Sequence, residues 1–152
     1  MSICVTSVMP FAELKGKDGF FDCIEEYKKC CITQGAEPEE VFDFSPYEVM
    51  DKNGQIICMG IFVDERCVGF VGLIPCPCFH LGKPYLTVES LFIQKEFRGK
   101  CWLQVLKHIK QIAKEQYCCG VIISAQSGSR FDYALSLKYK PMNTLYWINV
   151  NE

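Results

Sequence analysis

The sequence predicts one α/β domain over residues 1–152, built on a mixed sheet with flanking helices. Apolar residues make up 49% of the chain, which is enough to fill a single core. Short apolar runs bounded by glycine and proline alternate with stretches of helical periodicity. The clearest helical stretch lies between two such runs, which indicates a βαβ crossover near the middle of the chain.

The N-terminal third is predicted to contain one strand followed by helices. Residues 3–9 form a short apolar run, and residues 11–34 place apolar side chains mostly at helical spacing. Gly16 and Gly19 are expected to break this helix near its start. Residues 38–47 are polar and acidic and include a Ser-Pro pair, so they are predicted to form a loop or a short helix.

Strands dominate from residue 55 onward, and glycine and proline mark the connections between them. Asp64, Glu65 and Arg66 are expected to form a hairpin turn. The predicted elements of this part are strands at 56–63, 67–75 and 85–93, a helix at 100–116, a strand at 121–125, a helix at 131–138 and a last strand at 145–150.

The charge and the apolar pattern argue against nucleic-acid and membrane partners. A formal charge of −2 gives no strong field to attract nucleic acid or an anionic membrane. The N-terminus has no Lys or Arg before its apolar stretch, which makes it a poor secretory signal. The most apolar window, residues 68–82, contains prolines and glycines and is shorter than the ~20 residues that span a bilayer. We therefore expect a cytoplasmic protein.

The eleven cysteines are predicted to be reduced thiols that serve as small apolar residues. Disulfide frameworks belong mostly to small secreted domains. The two adjacent cysteine pairs and the Cys76-Pro-Cys78 run lack zinc-ribbon spacing. The two histidines complete no familiar ligand set, so no metal site is predicted. A cysteine-based redox or metal protein stays as an alternative.

The chemically informative segment spans residues 87–115. Its pattern predicts a strand, a tight turn that holds Arg98, Gly99 and Lys100, and then a strongly amphipathic helix. The N-terminus of a helix exposes unpaired N–H groups and a partial positive charge, which suits a pyrophosphate. Lys95 adds positive charge beside the turn. The alternative is an ordinary strand–turn–helix unit with no ligand.

The same segment resembles the signature of the GNAT superfamily of acyl-CoA N-acyltransferases. The strand Glu89–Ile93 is followed by the link Gln94–Phe97 and by a turn that begins Arg98-Gly99-Lys100, close to the usual wording of that family. The resemblance covers roughly residues 55–150. It implies a central, mostly antiparallel sheet of about six to seven strands with a βαβ crossover.

The resemblance also implies an activity and its partners. The expected reaction is N-acetyl transfer from acetyl-CoA, the co-substrate, by direct attack in a ternary complex. The acceptor would be a primary amine of a small molecule, or a lysine or N-terminus of a protein. Acidic residues ahead of the sheet could attract a cationic amine; they are Glu37, Glu39, Glu40 and Asp43. The protein would be a monomer or a homodimer.

Two groups of cofactor contacts follow from the resemblance. Leu91, Phe92 and Ile93 would offer backbone groups to the pantetheine and the thioester. The pyrophosphate would be held by Arg98, Gly99, Lys100, Cys101, Trp102 and Leu103. Cys101 and Leu103 stand where the family usually has small residues, and the Leu103 side chain is expected to point into the core. This departure keeps a second interpretation open, a catalytically silent binding protein on the same scaffold.

Two residues are candidates for proton transfer. Glu89 is the candidate base, and strand alternation predicts that it shares a face with Leu91 and Ile93. The alternative for Glu89 is a solvated residue at the edge of the sheet. Tyr133 is the candidate acid, by resemblance to a tyrosine that follows the fifth strand in the family, and Tyr139 lies nearby in the sequence. The alternative for Tyr133 is a packing aromatic.

Overall fold

The computed structural model describes residues 2–33, 43–146, 148 and 150 of the chain. Its helices and strands follow the order that the sequence predicts, except that the described residues form no strand at 145–150. The elements are β1 (Cys4–Val8), α1 (Phe11–Lys15), α2 (Phe20–Thr33), α3 (Ser45–Lys52), β2 (Ile57–Val63), β3 (Arg66–Cys76), β4 (Tyr85–Ile93), α4 (Arg98–Glu115), β5 (Val121–Ile123) and α5 (Arg130–Ser136).

The five strands form one mixed sheet in the order β1-β2-β3-β4-β5. The first four pair antiparallel, and β5 pairs parallel to β4 after the crossover through α4. The β2–β3 hairpin turns at Asp64 and Glu65, whose φ angles of 50° and 67° are those of the two-residue turns that match strand twist. The predicted mixed, mostly antiparallel sheet with a βαβ crossover is confirmed.

Each face of the sheet has its own apolar core. On one face the stripe of α4, which includes Val105 and Ile109, packs on Met59, Ile61 and Leu73. On the other face α1 and α2 supply a second, aromatic-rich cluster built around Phe11, Phe20 and Phe70. The sheet is therefore the middle layer of three, and its two faces carry different side chains.

The glycines break the first helical stretch where the sequence predicts. Helix α1 ends at Gly16, and α2 begins after Gly19, whose φ of +85° favours glycine. The predicted loop or short helix at 38–47 lies partly outside the described residues. Its last part opens α3, in which Pro46 occupies the first turn, where its missing N–H costs nothing.

The predicted strand count of six to seven is wrong for the described residues, which form five strands. The last predicted strand, 145–150, accounts for the difference. Leu145, Tyr146, Ile148 and Val150 are 79–90% exposed and join no ladder, while residues 147 and 149 lie outside the described part. An alternating apolar pattern forms a strand only when a neighbouring edge pairs with it. Within the described ranges, no helix is long and apolar enough to cross a membrane.

The close approach of β3 and β4 at Gly69 yields a stability prediction. A Cβ at this position would lie 2.4 Å from the Phe92 carbonyl oxygen and 3.1 Å from the Ile93 Cα. Backbone atoms cannot move aside easily, so Gly69→Ala should lower the free energy of unfolding by about 1–3 kcal/mol in urea titrations. Gly120→Ala is the matched control, because its Cβ would meet nothing within 4 Å. Equal stability of the two variants would contradict this packing.

Candidate functional site

The pairing between β4 and β5 stops partway along β4. Leu86 pairs with Val121 and Val88 pairs with Ile123, where β5 ends. The remainder of β4 continues to Ile93, paired to β3 on one side but to no strand on the other within the described residues. The backbone groups on that open side need partners. The sheet therefore opens into a gap beside the second half of β4.

Strand β5 ends at Ile123, and a capped helix, α5, begins at Arg130. The Ser129 hydroxyl accepts a hydrogen bond from the Asp132 N–H at 3.0 Å, and the Asp132 carboxylate accepts one from the Gly128 N–H at 2.8 Å. Gly128 has a φ of +77°, in the left-handed region that favours glycine. This cap fixes the start of α5.

A β-bulge in β4 lies where the gap begins. Gly72 of β3 pairs with Ser90, but the next residue, Leu73, pairs with Val88, so Glu89 has no partner in the β3 ladder. An inserted residue re-aims side chains and reverses the alternation beyond it. Bulges are common beside active sites for this reason.

The bulge makes the predicted face of Glu89 wrong. Leu91 and Ile93 pack on the α4 side of the sheet, as residues before the bulge such as Val88 do. The Glu89 carboxylate instead reaches the opposite side, where its Oε2 accepts a hydrogen bond from the Tyr47 hydroxyl of α3 at 2.6 Å. Simple alternation fails here because Glu89 is the extra residue.

The surroundings of the Tyr47 hydroxyl are mostly apolar. Burial and the neighbouring Glu89 carboxylate raise the pKa of Tyr47 above its usual range. Ser90 is buried, and its Oγ makes no hydrogen bond of standard geometry to the described residues. It lies close enough to the Tyr47 hydroxyl to lower the pKa of Tyr47, an effect smaller than those of burial and Glu89. A cavity of about 10 Å³ lined by Phe11, Tyr47, Gly72 and Ser90 adjoins them. This volume suits about one water molecule.

Helix α4 begins beside the open half of β4. A 3-10 turn, Lys95–Phe97, runs directly into it, so the helix starts at Arg98 rather than at the predicted Lys100. Arg98 Nε donates to the Ile93 carbonyl at 2.8 Å, and its guanidinium lies 5.7 Å from the Phe92 ring centroid. Arg98 therefore fastens the start of the helix to the end of the strand.

The first turn of α4 leaves room for a ligand. Gly99 is exposed, and a Cβ there would meet no atom of the described residues within 4 Å. Lys95, Arg98 and Lys100 are exposed around it, and the first turn contains no acidic residue. Positive side chains and helix N–H groups at one place favour an anion such as a diphosphate.

The other predicted pyrophosphate residues divide between core and surface. Cys101 is fully buried in the core under α4, so its side chain does not line the turn. Trp102 meets Phe131 of α5 edge to face at 5.1 Å and so joins the two helices. The expectation that Leu103 points into the core is wrong, because it is 70% exposed: the apolar stripe of α4 passes through Cys101 and Val105 instead.

Solved acetyltransferases share this architecture over nearly the whole chain. An aminoglycoside acetyltransferase from an uncultured soil metagenomic sample, in complex with sisomicin, superposes with a TM-score of 0.75 at 11% identity, covering 97% of each chain. A GNAT family acetyltransferase from Staphylococcus aureus gives 0.65 at 12% identity over 99% of this chain and 100% of its own. The chain has the GNAT acetyltransferase fold.

A third solved structure with a similar fold is an acetyltransferase named for a protein acceptor. The ribosomal-protein-alanine N-acetyltransferase from Brucella melitensis biovar Abortus 2308 matches with a TM-score of 0.69 at 14% identity, covering 96% of this chain and 97% of its own. No family model matches the sequence, and no curated protein matches it significantly. At these identities the likeness concerns the GNAT fold and not the substrate.

Two tyrosines predicted near the site, Tyr133 and Tyr139, lie among the described residues. Tyr133 lies on α5 and is 67% exposed, one turn after the Ser129 cap. The Tyr139 hydroxyl is buried without a hydrogen bond to the described residues, and Lys110 Nζ lies 5.3 Å from its ring centroid. Of the acidic residues proposed to attract an amine, Glu37, Glu39 and Glu40 lie outside the described residues. The assignment of Tyr133 as the acid stays a prediction.

Tyr47 is the residue that sequence reasoning missed. It stood at the end of a stretch predicted as a loop or short helix, with no motif around it. The contact with Glu89 spans 42 positions of sequence and depends on a bulge that the sequence pattern does not reveal. The Ser45-Pro46 pair was the available signal, because proline in a first helical turn marks a helix start and places Tyr47 inside α3.

The thiols near the site yield a labelling prediction. Burial raises the pKa of Cys58, which lines the small cavity, to about 12, whereas Cys119 is exposed. A raised pKa leaves Cys58 almost entirely protonated at pH 8, and only the thiolate is alkylated. Iodoacetamide followed by peptide mass spectrometry should label Cys119 within minutes and Cys58 only after denaturation. Rapid labelling of Cys58 in the folded protein would contradict its burial.

Proposed function

We propose that the chain is an N-acetyltransferase that transfers an acetyl group from acetyl-CoA to a primary amine. The observation that carries the proposal is the gap beside the second half of β4, which has a carboxylate at its inner end and a helix N-terminus at its outer end. The GNAT fold is compatible with this reaction, but the proposal depends on these local features.

The residues around the gap fit acetyl-CoA. Leu91, Phe92 and Ile93 belong to the half of β4 that has no strand partner on the gap side in the described structure, so their backbone groups suit the amides of pantetheine. The open first turn of α4 at Gly99, with Lys95 and Lys100 beside it, suits the diphosphate. Bound there, the thioester would supply the acetyl group close to Glu89.

The proposed reaction needs two proton transfers. Glu89 removes a proton from the ammonium form of the acceptor, and the neutral amine then attacks the thioester carbonyl. A C–N bond forms and the C–S bond breaks, so the sulfur leaves as a thiolate. Tyr133 is proposed to return a proton to that sulfur, which gives a free thiol and an amide. Holding both substrates beside β4 provides the attack geometry.

Direct transfer is favoured over a cysteine acyl-enzyme. Cys58, the thiol that lines the cavity near Glu89, has a pKa raised to about 12 by burial and by the charges of Asp51 and Glu89. A protonated, buried thiol is a poor nucleophile.

No group of three or more potential metal ligands occurs among the described residues. All eleven cysteines are free thiols, and the cytoplasm is the proposed place of action.

Removal of the proposed base tests the reaction. Amines, including polyamines, aminoglycosides and peptides with free N-termini, are incubated with acetyl-CoA, and the acetylated product is measured by mass spectrometry, which avoids the background of the protein thiols. We expect at least one amine to be acetylated, and Glu89→Gln to lower kcat/KM by about 100-fold or more.

Glu25→Gln provides the matched control for that substitution. Glu25 is exposed on α2, and its ion pair with Lys28 is also exposed, so the same chemical change there should leave kcat/KM within about twofold. Acetylation that survives unchanged in Glu89→Gln would remove Glu89 from the mechanism. No product with any amine would contradict the proposed function and favour the silent binding protein.

A further inference from the structure

We propose that Tyr47 is a positioning residue for Glu89, holding one carboxylate oxygen so that the other is available to the proton of the acceptor amine. This inference rests on the proposed function, because it gives Glu89 the task of proton removal. Tyr47 would act through Glu89 and not on the substrate itself.

The bulge creates the need for such a residue. Glu89 has no partner in the β3 ladder and is exposed, so the sheet does not fix its side chain in one rotamer. Its Oε2 accepts a hydrogen bond from the Tyr47 hydroxyl at 2.6 Å. Within the described structure its Oε1 accepts no hydrogen bond. A short hydrogen bond to a carboxylate belongs to the stronger class of such bonds. One oxygen is thereby held and the other is left for the amine.

Tyr47 is itself held firmly. Its ring stacks on Phe11 with centroids 5.5 Å apart and planes 27° apart. Helix α3 is attached to α1 by a hydrogen bond from the Phe11 N–H to Asp51 at 3.0 Å and by the Lys15–Glu48 ion pair at 2.6 Å. A group that must orient another within a fraction of an ångström is useful only when its own support is rigid.

The protonation state of Tyr47 suits a donor. Its pKa is raised by burial first and by Glu89 second, so the phenol keeps its proton throughout the neutral range. The other titratable groups that face the pair are Tyr27 of α2, Asp51 of α3 and Cys58 of β2. Burial raises the pKa of both Tyr27 and Cys58, so neither changes charge near neutral pH.

A purely structural role for Tyr47 predicts different kinetics. Tyr47→Phe removes the hydroxyl and keeps the ring that stacks on Phe11, so the fold is expected to survive. A packing role would leave kcat and its pH profile unchanged. A positioning role lowers kcat by about tenfold, leaves the KM of the amine within about twofold, and moves the acidic limb of the profile to higher pH.

The experiment measures kcat, KM and the pH profile for the wild type, Tyr47→Phe, Glu89→Gln and the double variant. Because Tyr47 acts through Glu89, adding Tyr47→Phe to Glu89→Gln should lower kcat no further. Tyr117→Phe is the control for loss of a hydroxyl, since Tyr117 is 83% exposed after α4. Lys15→Met is the control for a loosened α3, and it should change the melting temperature but not the acidic limb.

A measurement without substrate separates this inference from the proposed function. The side-chain carboxyl carbon of Glu89 is followed by ¹³C NMR during a pH titration of the wild type and of Tyr47→Phe. The positioning role predicts that the midpoint moves to higher pH in the variant, because the carboxylate has lost a donor. An unchanged midpoint, or full kcat in Tyr47→Phe, would overturn the role of Tyr47. A failure to acetylate any amine with the midpoint moved would overturn the proposed function, and with it the task of proton removal, while the hydrogen bond from Tyr47 to Glu89 would stand.

Discussion

The short parallel pairing between β4 and β5 is the constraint on which the rest of the site depends. A longer β5 would continue the ladder past Val88 and cover the backbone of the second half of β4. Strand β5 instead ends at Ile123, and the capped helix α5 follows it. An ordinary interruption of a sheet thus leaves a row of backbone groups that a ligand with amides of its own could pair with.

The bulge at Glu89 gives the same strand a second role. Before the bulge and beyond it, apolar side chains of β4 fill the core beneath α4. At the bulge, the Glu89 carboxylate points to the opposite layer of helices, where it accepts a hydrogen bond from Tyr47 of α3. One continuous segment of chain therefore supplies the open side of the strand, the carboxylate and the first turn of α4. For this reason the sequence features that predict the site lie together in residues 87–115.

The sequence predicted local features well and long-range ones poorly. The bounds of β4 were predicted at Tyr85 and Ile93 because a proline precedes the strand and its apolar residues are β-formers. The break at Gly16 and Gly19 was equally local. The bulge was not predictable, because it is set by the register of β3 against β4. Tyr47 was missed for the same reason, since its partner is distant in the sequence.

Two other errors came from reading patterns without their neighbours. Leu103 was assigned to the core from its place in a motif, whereas the stripe of α4 that meets the sheet runs through Cys101 and leaves Leu103 exposed. Residues 145–150 alternate as a strand would, but the described residues among them pair with no edge. In both cases the local pattern was compatible with the prediction, and only the packing of other elements decided the outcome.

Calorimetric titration of the purified chain with acetyl-CoA tests most directly whether the gap and the first turn of α4 form a binding site. Gly99→Glu adds bulk and negative charge where a Cβ meets nothing within 4 Å, and Gly120→Glu makes the same change at an equally open position before β5. Saturable heat for the wild type and for Gly120→Glu, with at least about tenfold weaker binding for Gly99→Glu, is the expected result. No heat at millimolar acetyl-CoA, or equal binding by Gly99→Glu, would contradict a diphosphate site at the start of α4.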